Sequence, residues 1–152
     1  MVLKPLKKVQ AFLTKHRTIG IDTSIFIYWI ESHPTYKDFV EPIFLWLDKP
    51  HSVGVTSSVT MLEVLVKPYQ ESRFDLVYEF FSILSNYPTL RFIDVTLSIA
   101  NLAAKLRAEI RLKTPDAIQA ASALSFGVTG FVSNDPDFKR IPNLDVLILK
   151  EL

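Results

Sequence analysis

Four acidic residues, Asp22, Glu63, Asp116 and Asp135, are spread across most of the chain, and each lies at the edge of an apolar segment. Carboxylates brought within a few Å of one another repel and raise one another's pKa, so a cluster of four is tolerable only with cations. Two divalent ions would supply four positive charges. Hard oxygen ligands without His or Cys favour Mg²⁺ or Mn²⁺ over zinc. Three of the acids sit in short polar phrases: Ile21-Asp22-Thr23-Ser24, Thr114-Pro115-Asp116-Ala117 and Ser133-Asn134-Asp135-Pro136-Asp137-Phe138. Glu63 lies instead within the apolar run Val59-Thr60-Met61-Leu62-Glu63-Val64-Leu65-Val66.

The elements that must position these acids follow from hydrophobic periodicity. Leu6, Val9, Phe12 and Leu13 keep helical spacing and predict an amphipathic N-terminal helix, an extension over residues 1–17 of a single domain spanning 1–152. Thr18 to Ile21, Ser52 to Val55, Leu90 to Ile93, Thr129 to Val132 and Val146 to Leu149 read as short strands. Helices are expected over Ser24 to Glu31, Lys37 to Leu47, a segment carrying Glu63 as far as Pro68, Phe74 to Leu84, Thr96 to Arg111, and Pro115 to Leu124. Strands alternating with helices predict an α/β fold in three layers, a central parallel sheet of four or five strands flanked by helices. In such sheets ligands bind at the carboxyl ends of the strands, where Asp22 and Asp135 fall.

Composition narrows the function. With 152 residues and 49% hydrophobic content the chain fits one domain with a real core. The absence of cysteine excludes a disulfide framework, a thiolate nucleophile and a zinc finger. A formal net charge of +1 leaves any basic footprint local. One such run, Lys4, Lys7, Lys8, Lys15 and Arg17, precedes the first acid, although charge runs are usually solvated faces. No segment approaches the roughly twenty apolar residues that span a bilayer, and the expectation is a soluble cytoplasmic protein.

Each acid also has an ordinary structural explanation. A carboxylate at a helix N-terminus satisfies free backbone N–H groups, which would account for Asp22, Asp135 and, with Thr114 as N-cap, Asp116. Glu63 shares a helix face with Val59, Leu62 and Val66, so it is expected to turn inward, with a buried salt bridge to Arg107 as the alternative to a metal-site role. Other carboxylate and nucleotide chemistries fit less well. Ser24 stands where a haloacid-dehalogenase phosphatase needs its second Asp, and Asp22 lacks the acidic neighbour of a receiver-type phosphoacceptor. A Toprim-like site would need a glycine shortly after Glu63, and no Walker loop or Gly-x-Gly-x-x-Gly is present. His16, His33 and His51 are too scattered for a zinc hydrolase.

Ile21-Asp22-Thr23-Ser24-Ile25-Phe26-Ile27-Tyr28, Thr56-Ser57-Ser58 leading to Glu63, Leu112-Lys113-Thr114-Pro115-Asp116-Ala117-Ile118 and Val132-Ser133-Asn134-Asp135-Pro136-Asp137-Phe138 together resemble the PIN-domain nucleases, and among them the VapC-type toxin ribonucleases. Order and spacing match from Ile19 onward; about twenty residues precede Asp22, whereas most toxin members start almost at the first motif. The resemblance implies that Asp22, Glu63, Asp116 and Asp135 are the metal ligands. It implies that Thr23 and Asn134 support the site, and that Asp137 is an accessory acid. It further implies two-metal hydrolysis of RNA phosphodiester bonds, with an antitoxin protein as a possible partner. Because an acidic site repels phosphate, Lys105, Arg107, Arg111 and Lys113 are the candidate RNA contacts.

Two rival readings remain: a DNA-directed or structure-specific nuclease of the same chemistry, and a non-catalytic PIN binding module, against which mutually repelling carboxylates argue. Phe74, Leu76, Val77, Phe80, Phe81, Ile83 and Leu84 form a doubled apolar stripe that predicts a homodimer, with the Lys37 to Leu47 helix as a second candidate for its interface.

Overall fold

The computed structural model describes residues 3–152. Five strands, β1 (Thr18–Ile21), β2 (Val53–Ser57), β3 (Leu90–Ile93), β4 (Gly130–Ser133) and β5 (Asp145–Ile148), form one sheet in the order β3-β2-β1-β4-β5. Every neighbouring pair is parallel. The expected α/β fold with a parallel central sheet is therefore the observed one, at the upper end of the expected strand number. The chain works outward from β1 through β2 to β3, then crosses to the other side of β1 for β4 and β5. That reversal makes the carboxyl ends of β1 and β4 the switch point at which open α/β sheets bind ligands.

Seven helices cover the sheet: α1 (Leu3–Lys15), α2 (Thr23–Ile30), α3 (Lys37–Leu47), α4 (Ser58–Gln70), α5 (Phe74–Ser85), α6 (Leu97–Ile110) and α7 (Thr114–Phe126). Two apolar clusters result. One gathers Val9, Phe12 and Leu13 of α1, Ile25 and Phe26 of α2, and much of α3. The other joins Ile99, Ala103 and Leu106 of α6 to the alanines of α7 and to Phe131 and Phe138. Strands buried on both faces need the continuous apolar runs that Ile19–Ile21 and Phe131–Val132 supply.

The predicted N-terminal helix forms, and its buried residues are Val9, Phe12 and Leu13, as its periodicity requires. Gly130 allows the close approach: a Cβ there would stand 2.7 Å from the Phe12 ring and 2.9 Å from His16. His16 then closes the contact, with Nε2 2.7 Å from Asp145 and Nδ1 2.7 Å from the Thr129 hydroxyl.

One helix boundary changes. Helix α4 runs two residues past Pro68, to Gln70, because a proline in the last turn forfeits one backbone hydrogen bond without ending the turn. Helix α3 buries Val40, Ile43, Phe44, Trp46 and Leu47 in the core, while Leu45 stays 59% exposed. Helix α5 behaves oppositely: only Leu84 is buried, and Phe74, Tyr78 and Phe81 stay largely exposed.

Candidate functional site

Asp22 ends β1 and begins α2, so its carboxylate is at once a helix N-cap and a group at the switch point. Its Oδ1 accepts the Thr23 amide at 2.9 Å and its Oδ2 accepts the Ser133 hydroxyl at 2.7 Å. Asp135 follows β4, and its Oδ1 accepts the Asp137 amide at 2.9 Å, capping a 3-10 turn over Pro136–Arg140. The capping explanation thus holds in part for both. It fails for Asp116. Helix α7 begins at Thr114 with Lys113 as N-cap and no side-chain cap, while the Thr114 hydroxyl is taken by Arg107. Asp116 is left in the first turn with no capping task.

Glu63 differs from expectation in its surroundings. Leu62 and Val66 are 63% and 43% exposed, so the inward face of α4 is the one bearing Thr60, Val64 and Pro68. Glu63 is half-buried at the border of that face, and its Oε1 accepts the Thr23 hydroxyl at 2.9 Å. No ion pair joins it to Arg107, whose guanidinium lies at Thr114. The salt-bridge alternative is therefore overturned.

The acids act on one another electrostatically. Burial raises the Asp22 carboxyl to about 6, opposed by the hydrogen bonds from Ser133 and Thr23 and reinforced by the charges of Glu63 and Asp135. Burial likewise raises Asp116 to about 7, with the charges of Asp22 and Asp135 and a hydrogen bond shared with Asp135 adding to it, while Lys113 pulls the other way. Asp22 thus feels the charges of Glu63 and Asp135, and Asp116 those of Asp22 and Asp135. They do not close into a cage: among the described residues, no three acidic or imidazole side chains stand close enough together to hold an ion, as repulsion between facing carboxylates dictates. The donor set nonetheless fits a hard divalent cation, being all oxygen, with Asp22 and Asp116 raised first by burial and then by neighbouring negative charge.

The remaining expected residues divide. Thr23 supports the site directly, through its amide to Asp22 and its hydroxyl to Glu63. Asn134 does not reach the acids: its Nδ2 donates to the Tyr28 hydroxyl at 2.9 Å and its Oδ1 accepts the Lys150 amide at 2.7 Å. Ser133, one residue earlier, takes that role, donating to Asp22 and accepting the Asp135 amide at 3.0 Å. Asp137 turns its carboxylate to Arg140, 3.0 Å away, and does not figure among the charges acting on Asp22 or Asp116. Of the basic candidates, Lys113 acts on Asp116; Lys105, Arg107 and Arg111 are exposed on and after α6 without entering the electrostatics of either raised acid.

Sequence reading missed Gln119. It is 2% exposed and one turn beyond Asp116 on α7, a lone amide in the buried run from Ala117 to Ala123. It hydrogen-bonds Thr23, Ser57 and Thr60 beneath the acids. A single long polar side chain amid alanines, i+3 from a candidate ligand, was the available signal.

Residues 19–144 match the family model of the PIN domain. Among solved structures, VapBC2 from Rickettsia felis, bound to a DNA fragment from their promoter, superposes with a TM-score of 0.66 at 21% identity, over 86% of this chain and 98% of that one. A toxin-antitoxin complex from Klebsiella pneumoniae gives 0.65 at 25% identity, over 87% and 97%. DNA-bound VapBC from Salmonella typhimurium gives 0.62 at 22%, over 88% and 98%. No curated protein matches the chain by sequence.

Proposed function

The chain belongs to the PIN-domain family, and from that premise we propose that it is a metal-dependent endoribonuclease, the toxin of a toxin-antitoxin pair, with Asp22, Glu63, Asp116 and Asp135 as the ligands of Mg²⁺ or Mn²⁺. The observation that carries the reading is the electrostatic coupling of Asp22 to Glu63 and Asp135, and of Asp116 to Asp22 and Asp135, beside the switch point of the sheet. A purely structural set of acids would be expected to pair with Arg or Lys; here Lys113 alone among the cations acts on Asp22 or Asp116.

Bound there, the divalent ions would supply an activated water and stabilise the leaving 3′ oxygen of a phosphodiester. The protein's own share is orientation. Ser133 and the Thr23 amide hold the two oxygens of Asp22, and the Thr23 hydroxyl holds one oxygen of Glu63. Asp116 stands on the first turn of α7, with Lys113 just outside it as a positive charge for an approaching phosphate. Arg111, Arg107 and Lys105 extend that exposed basic strip back along α6 and are proposed as further phosphate contacts.

Two partner surfaces accompany the site. A groove lined by Ile27, Ile30, Val64, Leu76 and Phe80, with Glu31, Glu63, Lys67 and Glu71 among its other walls, is proposed as the antitoxin surface, since one of the structural neighbours is a toxin-antitoxin complex. The outer side of α5, with Phe74, Tyr78 and Phe81 at i, i+4 and i+7, is proposed as a homodimer contact.

The test is cleavage of a labelled RNA by the purified protein with EDTA, Mg²⁺ or Mn²⁺, beside a DNA of the same sequence. Metal-dependent cutting of RNA, lost in Asp116→Asn, supports the reading. Cutting of DNA alone replaces it with the DNA-directed alternative, and binding without cutting of either replaces it with the non-catalytic one.

A further inference from the structure

Beneath the acids lies a network of buried polar side chains that meets the site through Thr23. Gln119 is 2% exposed, Thr23 5%, Thr56 1%, Ser57 0% and Thr60 0%. Buried so completely, each polar group must find its partner inside the protein. The network spans the elements that carry three of the acids. Thr23 follows Asp22, Thr60 lies one turn before Glu63 on α4, and Gln119 lies one turn after Asp116 on α7.

The direction of every proton in it can be worked out. The Ser57 amide meets Gln119 Oε1 at 3.1 Å, and a backbone amide only donates, so the carboxamide oxygen must face β2 and the NH₂ must face the other way. That NH₂ has two protons and two acceptors: Thr23 Oγ1 at 3.1 Å and Thr60 Oγ1 at 2.6 Å. Thr56 gives its one hydroxyl proton to the Ile21 carbonyl at 2.8 Å in preference to Gln119 Oε1 at 3.4 Å, both of which can only accept. The 2.6 Å contact between Thr56 and Thr60 must then carry the Thr60 proton. Thr23 Oγ1 also lies 3.0 Å from Thr60 Oγ1, whose own proton is on Thr56, so Thr23 has two acceptors, and its proton goes to the charged one, the Glu63 carboxylate, in a charge-assisted bond at 2.9 Å.

We propose that Gln119 is a positioning residue of the acid site: its carboxamide, locked by the Ser57 amide, fixes the hydrogen-bond direction of Thr23 and so holds Glu63 in the orientation in which it ligates a divalent cation. The proposal rests on the reading of Glu63 as a metal ligand given above. It adds that three of the four acid-bearing elements are registered through one buried amide. Hydrogen-bonded partners of metal-ligating side chains typically contribute about 10- to 100-fold to metal affinity, which sets the expected size of the effect.

The experiment is titration of metal-stripped protein with Mn²⁺, read by calorimetry, on the wild type and on Gln119→Met, Thr23→Val, Gln119→Met/Thr23→Val and Thr60→Val. The expected result is a fall in Mn²⁺ affinity of about tenfold in Gln119→Met and in Thr23→Val, with the double variant no weaker than the worse single one, since both break the same chain. Thr60→Val, whose hydroxyl gives its proton to Thr56 and meets Thr23 at 3.0 Å only as a competing acceptor, loses thermal stability but keeps most of its Mn²⁺ affinity. Unchanged affinity in Gln119→Met overturns the proposal, as does an equal loss in Thr60→Val, which would mark a general loosening of the core. A wild type that binds no Mn²⁺ overturns the metal-site reading itself, and the proposal with it. Should Gln119→Met fail to fold, the wild type still decides the matter. A coupling across the hydrogen bond from the Ser57 amide nitrogen to the Gln119 side-chain carbonyl carbon, measured by NMR, is required, and its absence in an otherwise assigned spectrum overturns the assigned direction.

Discussion

Replacing Asp22 by Asn removes a charge that the folded protein holds at a cost. The Asp22 carboxyl is raised from 3.8 to about 6, chiefly by burial, so the folded state binds its proton more tightly than the unfolded chain does. The sign follows. Between pH 4 and 6 the native state carries more protons than the unfolded state, so stability falls as pH rises, and above pH 6 the full cost remains. A displacement of that size corresponds to about 3 kcal/mol. Asparagine escapes this cost but returns about 1 kcal/mol, because its single carbonyl oxygen cannot replace both acceptors used by Ser133 and the Thr23 amide. Asp22→Asn is therefore expected to be more stable than wild type by about 2 kcal/mol at pH 8 in EDTA, an increase in Tm of about 4–8 °C for a chain of this size. Near pH 4 it should be level with wild type or slightly below it. Thermal scans across that pH range measure the crossing. In excess Mg²⁺ or Mn²⁺ at pH 8 the ranking should narrow or reverse, since a ligand that binds only the folded wild type stabilises it by mass action. A variant less stable than wild type by the same margin at every pH would refute the reasoning and leave Asp22 as an ordinary helix cap.

Asp116→Asn should abolish RNA cleavage while keeping the fold and, because Asp116 caps nothing, should not lower Tm; cleavage at the wild-type rate would remove Asp116 from the site. Ser24, beside Asp22, has a buried hydroxyl without a hydrogen-bond partner. Ser24→Ala is expected to raise stability by up to about 1 kcal/mol in urea titrations, and a loss of that size would show that the hydroxyl is satisfied. Phe81→Asp, at a position 52% exposed, should halve the mass seen by light scattering without changing Tm by more than a few degrees; a wild type already monomeric at micromolar concentration would contradict the α5 contact. Asp145, pushed up by burial, is pulled below its ordinary value by hydrogen bonds from His16 and Lys15, so its contribution is present near neutral pH and is lost as pH falls through its lowered pKa. Asp145→Asn should accordingly destabilise the protein at pH 7 and much less at strongly acid pH, and an equal effect at both would count against that pairing.

The parallel sheet was legible because its strands are short apolar runs separated by helical periods, and Asp22 and Asp135 were legible because they close two of those runs. Periodicity cannot say which face of an amphipathic helix is covered when both are apolar. Leu62 and Val66 therefore misdirected the reading of Glu63, although they lie on the exposed side of α4. The same limit hid the nature of α3, whose apolar residues mostly find the core although Leu45 does not, and of α5, whose residues mostly do not. Side-chain direction was illegible too. Within Ser133-Asn134-Asp135, the residue supporting Asp22 is the one that still belongs to β4, and strand alternation sends its neighbour Asn134 away toward Tyr28. Gln119 escaped notice because a lone polar residue in a helix is usually solvated, and only the packing of α7 onto β1 and β2 places it inside.

The central claim is that Asp22, Glu63, Asp116 and Asp135 converge on divalent metal. Anomalous diffraction from crystals soaked in Mn²⁺ tests it most directly. The account predicts manganese at the carboxyl ends of β1 and β4, with oxygens of Asp22, Asp116 and Asp135 roughly 2.1–2.3 Å away and Glu63 in the same coordination sphere or one water removed. Manganese bound only elsewhere on the surface, or any two of the four carboxylates more than about 10 Å apart in the soaked crystal, would contradict it.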